Sequence, residues 1–490
     1  MAVKGFPWKY TVDVLSDQNV QDIHRHSLEV LERVGTSCAN ERVLKLMAEH
    51  GQRVDFESKR IYYDPQFVEQ QLKLAPHHYT LAARNPANDL ALNGKYGWVS
   101  TDGCQAQVID RVSGDRRYPT KADISEITRV ADALPQIGFH WQPVSATDVP
   151  VPVRPMHETI AQLPHTSKHI QQMTAIDEIN ARGIIEFCEV IAGSKEALRE
   201  RPILSNFQCS ISPLHWDDGP LDAMLLFAEA GIPVGICSMP LAAATAPITM
   251  AGLLTIANAE ILSGITIMET MVPGSKTFYV MYATTIDMNS GALNPAWGPE
   301  DLTCEMAAGQ LGRYYDMPSA AGIFGTGAKS PDWQAGVQNA LSGFKAVVSP
   351  GDMMSGAGAL NGCSVFSSAE MIMDCDIMDL AMTWAEGYTF NDDDYAVDVI
   401  ETVIAEEKGH FLGEQHTRDH MRDFWKTRVM NRTTWEDWEA LDKPQPHQAA
   451  EVEVERILAE HEPDPLPEDQ RQELERIMDA YQAEAGDGED

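Results

Sequence analysis

Aromatic and amide side chains cluster after four apolar, β-like runs in the middle of the sequence. The clusters are FHWQ at 139–142, NFQ at 206–208, FYVMY at 278–282 and FGTG at 324–327. Each cluster alone is typical of a buried core. Four clusters at corresponding places favour a cavity that holds a cation against aromatic faces, each face contributing about 0.5–2 kcal/mol.

The segment GHFLGEQHTRDHMRDFW at 409–425 is the densest run of residues that could do chemistry. Glu414, His416 and His420 resemble a metal-binding helix at first sight. The spacing H-T-R-D-H lacks the glutamate of the H-E-x-x-H zinc motif, so we predict no metal bound by this chain. Glu414 is instead expected at the mouth of the site, together with His410. Arg418 and Arg422 are expected to make structural ion pairs.

Several common catalytic motifs are absent from the sequence. Gly356, Gly358 and Gly362 do not have the spacing of a dinucleotide fingerprint, and there is no P-loop and no G-x-S-x-G elbow. The eight cysteines include no C-x-x-C pair, which indicates reduced, mostly buried thiols. Such a chain fits an enzyme whose difficult chemistry is done by a cofactor on another protein.

Apolar β-like runs alternate with helical stretches from about residue 96 to 410. The predicted strands are 97–102, 136–144, 169–174, 203–211, 233–238, 277–282, 318–322 and 352–356. The predicted helices among them are 123–134, 175–192, 220–229, 248–262, 299–315, 333–346 and 369–386. This alternation predicts the α/β class and a (β/α)₈ TIM barrel, with a doubly wound open sheet as the structural alternative.

The two ends of the chain differ from the central part. Residues 1–95 are predicted to form a helical N-terminal extension, in which Ser16 caps the first helix and Gly35 ends it. Residues 96–445 form the predicted barrel domain. Residues 446–490 are predicted to be an acidic helical tail, packed on the barrel or on a neighbouring subunit.

The charge balance excludes some classes of partner. Lys and Arg total 37 against 73 Asp and Glu, a formal net charge of -36. Such a surface repels phosphate backbones and anionic membranes, so we expect neither nucleic acid nor a membrane as partner. The first residues have no signal-peptide pattern and no apolar stretch is long enough for a bilayer, which predicts a cytoplasmic protein.

Four segments resemble the trimethylamine methyltransferase family. They are TAPITMAGLLTIANAE at 245–260, GIFGTGAKSPDWQAG at 322–336, DMMSGAGALNGCSVFSSAEMIMDCDI at 352–377 and GHFLGEQHTRDH at 409–420. The similarity runs from about residue 10 to 445 in the family's order. The resemblance implies a (β/α)₈ barrel, a methylated amine or betaine as donor, and as acceptor the corrinoid (cobalamin) carried by a partner corrinoid protein.

Within this family, the archaeal trimethylamine enzymes carry a pyrrolysine in the barrel cavity. This sequence contains only the standard residues, and it therefore resembles the members that act on quaternary amines. A quaternary ammonium has a neutral amine as its leaving group, whereas a tertiary amine must first acquire a charge. The resemblance thus implies transfer of a methyl group from a glycine betaine-like compound, such as glycine betaine, carnitine or proline betaine, to Co(I).

Given that implied reaction, the clusters supply candidate substrate-binding residues, and no protein nucleophile is expected. The cation is expected against Trp141, Phe207, Tyr279, Tyr282 and Phe324. Polar groups that orient the substrate are expected to be His140, Gln142, Asn206, Gln208 and Glu414. A substrate carboxylate is expected to receive hydrogen bonds from His140 and from backbone amides near Gly325–Gly327.

Alternatives remain open at this stage. In one alternative, the methyl donor is trimethylamine or another methylated amine. In a second, the chain is a betaine-binding barrel that has lost catalysis. A zinc-dependent methyltransferase that activates a thiol or an alcohol is a further rival. In another variation tetrahydrofolate receives the methyl group through the corrinoid protein. The apolar helices and the acidic tail predict a homo-oligomer.

Overall fold

A computed structural model describes residues 2–294, 298–322 and 324–486. Eight parallel strands, labelled β1 to β8, form a closed barrel because β8 pairs with β1 through Met353 and Trp98. The barrel strands are Tyr96–Thr101, Ile137–Trp141, His169–Gln172, Leu204–Cys209, Val234–Ser238, Thr277–Met281, Ser319–Gly322 and Met353–Ala357. Each overlaps the strand predicted from the sequence, and the (β/α)₈ barrel is confirmed over the open sheet.

Helices follow the strands and surround the barrel. In chain order the helices α4 to α12 are Lys121–Asp132, Arg154–Gln162, Glu178–Ala192, Lys195–Glu200, Asp218–Glu229, Met250–Met271, Pro299–Tyr314, Trp333–Val348 and Ser368–Glu386. The sequence analysis missed α5, which begins at Arg154. Three prolines at 150, 152 and 155 precede or open this helix and obscured its pattern, because proline is tolerated only in the first turn.

The N-terminal region contains three helices and several short strands. The helices α1 to α3 are Asp17–Arg33, Glu41–Glu49 and Pro65–Leu72. Ser16 caps α1 as predicted, through a hydrogen bond from the backbone N–H of Asn19. The strands Tyr79–Leu81 and Leu90–Leu92 pair with each other, and Leu81, Leu90 and Leu92 pack with Trp98 and Phe139. This sheet closes the amino end of the barrel and leaves the carboxyl end for a site.

The C-terminal region begins after α12 and ends in two long helices. The helices α13 to α17 are Val397–Ala405, Gln415–His420, Trp435–Ala440, Pro446–Glu460 and Glu468–Ala485. Both long tail helices pack on the outside of the barrel. His461, after α16, pairs with Asp132 at 2.8 Å, and Tyr481 of α17 donates a hydrogen bond to Glu186 at 2.7 Å.

Helix α9 is by length and composition apolar enough to cross a membrane. Most of it is buried between the barrel and helices α1 and α3, which is the environment of a core helix. Its carboxylate Glu260 is fully buried and accepts hydrogen bonds from the hydroxyls of Ser210, Ser212 and Ser238 at 2.6–2.7 Å and from the backbone N–H of Leu214. Glu260 therefore ties α9 to the ends of β4 and β5.

Replacement of Glu260 by glutamine is expected to lower the free energy of unfolding by about 2 kcal/mol. The amide keeps the size of the carboxylate but offers one acceptor oxygen in place of two, so at least one of the four donors loses its partner. Denaturant unfolding measures the change. The exposed carboxylate Glu196 provides a control, because Glu196→Gln is expected to change stability by less than about 0.5 kcal/mol.

Candidate active site

A cavity of about 360 Å³ lies at the carboxyl end of the barrel. Every strand contributes to it at or just beyond its carboxyl end, which is where barrel enzymes place their chemistry. The lining includes Asp102, Gly103, Trp141, Met173, Phe207, Met239, Leu241, Tyr282, Ala283, Thr284, Asp301, Glu305, Gly322, Phe324, Ser355, Gly362 and Cys363. Met239 is 42% exposed, so the cavity reaches the surface of the protein.

Three aromatic rings, those of Trp141, Phe207 and Tyr282, form one wall of this cavity. The ring of Trp141 lies 4.8 Å from that of Phe207 and 5.9 Å from that of Tyr282, between centroids. Tyr282 meets Trp141 edge-on at 85°, and its hydroxyl lies 3.0 Å from the hydroxyl of Ser355. Phe324 also borders the cavity, but its ring lies beside Gly343 of α11 and packs with Ile377 in the helix layer, so we correct the expectation that it belongs to this wall. Faces arranged in this way attract a cation through their quadrupoles.

Three carboxyl groups also line the cavity. Asp102 follows β1, whereas Asp301 and Glu305 lie one turn apart on α10. Asp301 accepts hydrogen bonds from the hydroxyl of Thr284 at 2.8 Å and from the backbone N–H of Thr285 at 3.1 Å. Glu305 forms an ion pair with the buried Lys345 at 2.7 Å. The cavity therefore combines aromatic faces with an excess of acidic groups.

Burial shifts the acid–base behaviour of these carboxyl groups. It raises the pKa of Asp102 to about 6, although hydrogen bonds from Cys363, Gly103 and Gln105 act in the opposite direction. It raises the pKa of Glu305 to about 7, because loss of solvation outweighs the attraction of Lys345. The pKa of Asp301 is also raised by burial. Near neutral pH the cavity thus carries carboxyl groups close to their titration points.

One thiol lines the cavity within the described chain, that of Cys363. Burial and the nearby carboxyl of Asp102 raise its pKa well above the ordinary value. A neutral thiol is a poor nucleophile, because the thiolate is the reactive form. Cys104 and Cys237 have their pKa raised by burial in the same way. Among the described residues, the cavity therefore offers no thiol that is activated for attack.

Replacement of Lys345 by methionine is expected to lower the free energy of unfolding by about 3 kcal/mol at pH 8. The change leaves the Glu305 carboxylate buried without its counter-charge and removes the hydrogen bond from Lys345 to the carbonyl of Gly322, 2.8 Å long. The double variant Glu305→Gln/Lys345→Met is the matched control and should recover part of the loss. A thermal unfolding series at pH 6 and pH 8 tests this, and equal losses at the two pH values would contradict the charge argument.

Five of the residues proposed for the site face away from the cavity. They are His140, Gln142, Asn206, Gln208 and Tyr279. Side chains alternate along a strand, so neighbours of the inward-facing Trp141, Phe207 and Val280 point to the helix layer.

Each outward-facing side chain has its own surroundings in the helix layer. Asn206 donates to the carbonyl of Gln172 and Gln208 to that of Ala175, while Tyr279 donates to Asn258 at 2.9 Å. Gln142 donates to the carbonyl of Val144 and accepts from the hydroxyl of Thr174. Burial and the charge of Lys168 lower the pKa of His140 to about 3. We correct the expectation that these five line the cation site.

The predicted anion receptor is also engaged elsewhere. The backbone N–H of Gly325 donates to Asn339 at 3.3 Å, and that of Gly327 donates to Gln338 at 3.2 Å. Gly325 adopts φ of +123°, a backbone conformation open chiefly to glycine. These amides hold the loop after β7 onto α11 and do not line the cavity.

The 409–425 segment lies outside the cavity as well. Glu414 pairs with Lys408 at 2.8 Å on the protein surface, so its predicted place at the mouth is corrected. Arg418 hydrogen-bonds the carbonyl of Gly413 and the side chain of Gln415 rather than a carboxylate. Within the described residues, no group of three or more His, Cys, Asp or Glu side chains is placed to hold a metal ion.

The sequence analysis did not predict five residues of the cavity lining, namely Met173, Met239 and the three carboxyl groups of Asp102, Asp301 and Glu305, which we call the acidic wall. The sequence does contain signals for these residues. Asp102 lies two residues after Ser100, in step with the inward face of β1, and Met173 and Met239 continue β3 and β5 in the same way. Asp301 and Glu305 are spaced four residues apart on α10, a spacing that puts both on one face of a helix. Extending the inward–outward alternation of each strand by one more inward position would have found Asp102, Met173 and Met239.

Comparison with known proteins adds the following findings. The family model for trimethylamine methyltransferase (MTTB) matches residues 7–486. The trimethylamine methyltransferase MttB of Desulfitobacterium hafniense strain DSM 10664 / DCB-2 is 32% identical over 96% of this chain and 94% of its own length. The glycine betaine methyltransferase of strain Y51 of the same species is 31% identical over 97% of each chain. A solved hydroxylamine complex of MtmB is 11% identical with a TM-score of 0.48, covering 95% of this chain and 88% of that chain.

Proposed function

The chain belongs to the trimethylamine methyltransferase family, and from that premise we propose that it takes a methyl group from a small quaternary ammonium compound and transfers it to the corrinoid of a partner protein. The observation that carries the proposal is the aromatic wall of the barrel cavity. Trp141, Phe207 and Tyr282 meet there at the carboxyl ends of three strands. A methylated ammonium fits such a wall through charge–quadrupole attraction and apolar contact.

The contribution of the protein to the reaction is orientation and exclusion of water. The rings hold the ammonium, so that one methyl group points toward the opening beside Met239. Fixing the donor in this way removes much of the entropic barrier to a bimolecular transfer. Asp102, Asp301 and Glu305 add negative charge that favours a cation over a neutral amine.

A quaternary donor is favoured over a tertiary one by the chemistry of the site. Two relatives with different named donors, trimethylamine and glycine betaine, are 32% and 31% identical, so identity alone does not choose between them. The chain has only standard residues, and the thiol that lines the cavity is neutral. A quaternary donor already carries a good leaving group, a neutral tertiary amine, and therefore needs no activation by the protein before the methyl group is transferred.

The acceptor in this proposal is a corrinoid protein that docks over the open carboxyl end of the barrel. The corrinoid supplies the nucleophile that removes the methyl group. The open mouth fits a cofactor brought by another protein. We also propose a cytoplasmic location and the division into 1–95, 96–445 and 446–490.

We further propose that the chain forms a homo-oligomer. Trp333, Val337, Leu341 and Phe344 of α11 are all exposed, and they follow helical spacing on one face. An uncovered apolar stripe of this kind is typical of a protein interface.

Incubation with cob(I)alamin and a panel of methylated amines tests the function. The panel holds trimethylamine and several quaternary ammonium compounds, and the demethylated amine is measured by mass spectrometry. We expect demethylation of at least one quaternary compound and none of trimethylamine. Heat-denatured protein is the control for uncatalysed transfer.

Three other outcomes would each contradict a part of the proposal. Demethylation of trimethylamine alone would overturn the choice of a quaternary donor. Ligand binding without any demethylated product, with the native corrinoid protein also supplied, would identify a binding protein that has lost catalysis. Stoichiometric zinc together with methylation of a thiol or an alcohol would identify the zinc-dependent class.

A further inference from the structure

The charged side chains that line the cavity are all acidic in the described part of the chain. Asp102, Asp301 and Glu305 line it, whereas no Lys, Arg or His lines it within the described part of the chain. The ammonium of Lys345 is only 4% exposed and is engaged by Glu305 and by the carbonyl of Gly322.

The other sources of positive potential near the cavity are also engaged. The N-terminus of α10 would offer partial positive charge, but Asp301 caps it through the backbone N–H of Gly298. The amides of Gly325 and Gly327 donate to side chains of α11. His140, the remaining candidate for an anion receptor, lies outside the barrel wall and is held neutral. Among the described residues, a carboxylate in this cavity therefore meets no unpaired cationic group.

Neutral hydrogen-bonding groups are present instead. The hydroxyls of Tyr282 and Ser355 lie 3.0 Å apart at the cavity wall. The buried indole N–H of Trp141 donates to no group in the described residues. These hydroxyl and N–H groups can hydrogen-bond either a hydroxyl or a carboxylate of a ligand. The charge of the surrounding residues therefore determines which of the two ligand groups binds more tightly.

Resting on the proposed function, we propose that the natural donor is a quaternary ammonium compound without a carboxylate, of the trimethylammonium-alcohol kind. Its ammonium lies against the aromatic wall and its neutral arm meets the hydroxyls of Tyr282 and Ser355. A betaine shares the ammonium head, but its carboxylate would join three acidic groups in one cavity. Like charges that share a site cannot all ionise, so betaine binding would require uptake of a proton or displacement of a side chain.

The transfer step is balanced for such a donor. The bond between nitrogen and one methyl carbon breaks, and nitrogen keeps the electron pair to become a neutral tertiary amine. The methyl carbon passes to the reduced cobalt ion of the added corrinoid, which provides the electron pair of the new bond. Choline would therefore yield dimethylaminoethanol, and no proton is needed from the protein.

Choline and glycine betaine form a matched pair of probes, since both carry a trimethylammonium head and a two-carbon arm. Isothermal titration of the full chain at pH 8 is expected to give choline a dissociation constant at least about tenfold lower than that of glycine betaine. Glu305→Gln, which removes a charge without changing shape, should narrow this ratio. Tetramethylammonium, which has no arm, should displace choline.

The outcomes separate this inference from the proposed function. If glycine betaine binds as tightly as choline at pH 8, or more tightly, the inference about the donor is overturned. If glycine betaine is also demethylated with cob(I)alamin, the proposed function still holds. Demethylation of neither probe nor of any other quaternary compound would overturn the proposed function itself. Preferential demethylation of choline, measured as dimethylaminoethanol, would support both.

Discussion

Replacement of Trp141 by alanine is expected to lower kcat/KM for the preferred quaternary donor about a hundredfold, which corresponds to about 2.7 kcal/mol of binding to the transition state. Trp141 contacts both Phe207 and Tyr282, so its loss removes one cationic contact and frees two further rings to move. The rate of donor demethylation with cob(I)alamin measures the effect. Most of the change should appear in KM, since the ring binds the charged ground state as well.

Two control variants make this prediction specific to the cavity. Trp141→Phe keeps an aromatic face and should retain kcat/KM to within about tenfold. Tyr279→Phe removes a hydroxyl that donates to Asn258 on the opposite side of the barrel wall. It should leave kcat/KM unchanged and lower the thermal midpoint slightly. A loss of activity in Tyr279→Phe as large as in Trp141→Ala would contradict the assignment of inner and outer faces.

The barrel could be predicted from the sequence because its signals are local. Each strand is a short apolar run followed by a helical stretch, and the eight predicted runs overlap the eight strands. Helix α5 was missed because proline-rich residues mask its start, and its first turn has no side-chain cap. The tail helices carry a clear helical period, but only the structure shows that they pack on α4, α6 and α12.

The site was predicted only in part because a strand exposes alternate residues. Trp141, Phe207 and Tyr282 are brought together as expected in position, although their role in binding stays a prediction. The ring of Phe324 packs against α11 instead. Their neighbours His140 and Gln208 point outward, since one step along a strand reverses the face. The sequence shows which clusters end strands, but not which of two adjacent residues faces inward. Packing against the barrel core makes that choice.

The acidic groups show a different limit of sequence reasoning. Glu305 and Asp301 lie on a helix beyond the strand ends, and they reach the cavity through the way α10 packs on β7. The 409–425 segment, by contrast, is rich in reactive residue types and lies at the surface. The residue types of the 409–425 segment suggested a functional site. A functional site also requires partly buried groups with suitable neighbours, and sequence alone does not show these.

Affinity for tetramethylammonium is expected to rise about a hundredfold between pH 5 and pH 8. Burial raises the pKa of Asp102 to about 6 and that of Glu305 to about 7, so both carboxyls are neutral at pH 5 and ionised at pH 8. Each ionisation adds a negative charge beside the bound cation and should contribute about tenfold. Tetramethylammonium keeps its charge at every pH, so the dependence belongs to the protein. Titration calorimetry measures it, and a flat profile would contradict the acidic wall.

The same ionisation is expected to act on stability with the opposite sign. A carboxyl whose folded pKa lies above its unfolded value binds more protons in the folded state, so its contribution to stability falls as pH rises. Between pH 5 and pH 8 the wild-type protein should therefore lose about 2–3 kcal/mol of unfolding free energy relative to Glu305→Gln, measured without ligand. That variant should also lose the upper step of the affinity profile. The protein should therefore become less stable over the pH range in which its cavity binds cations more tightly. The ion pair with Lys345 only partly offsets the burial of Glu305, and a bound ammonium adds positive charge beside the carboxylates.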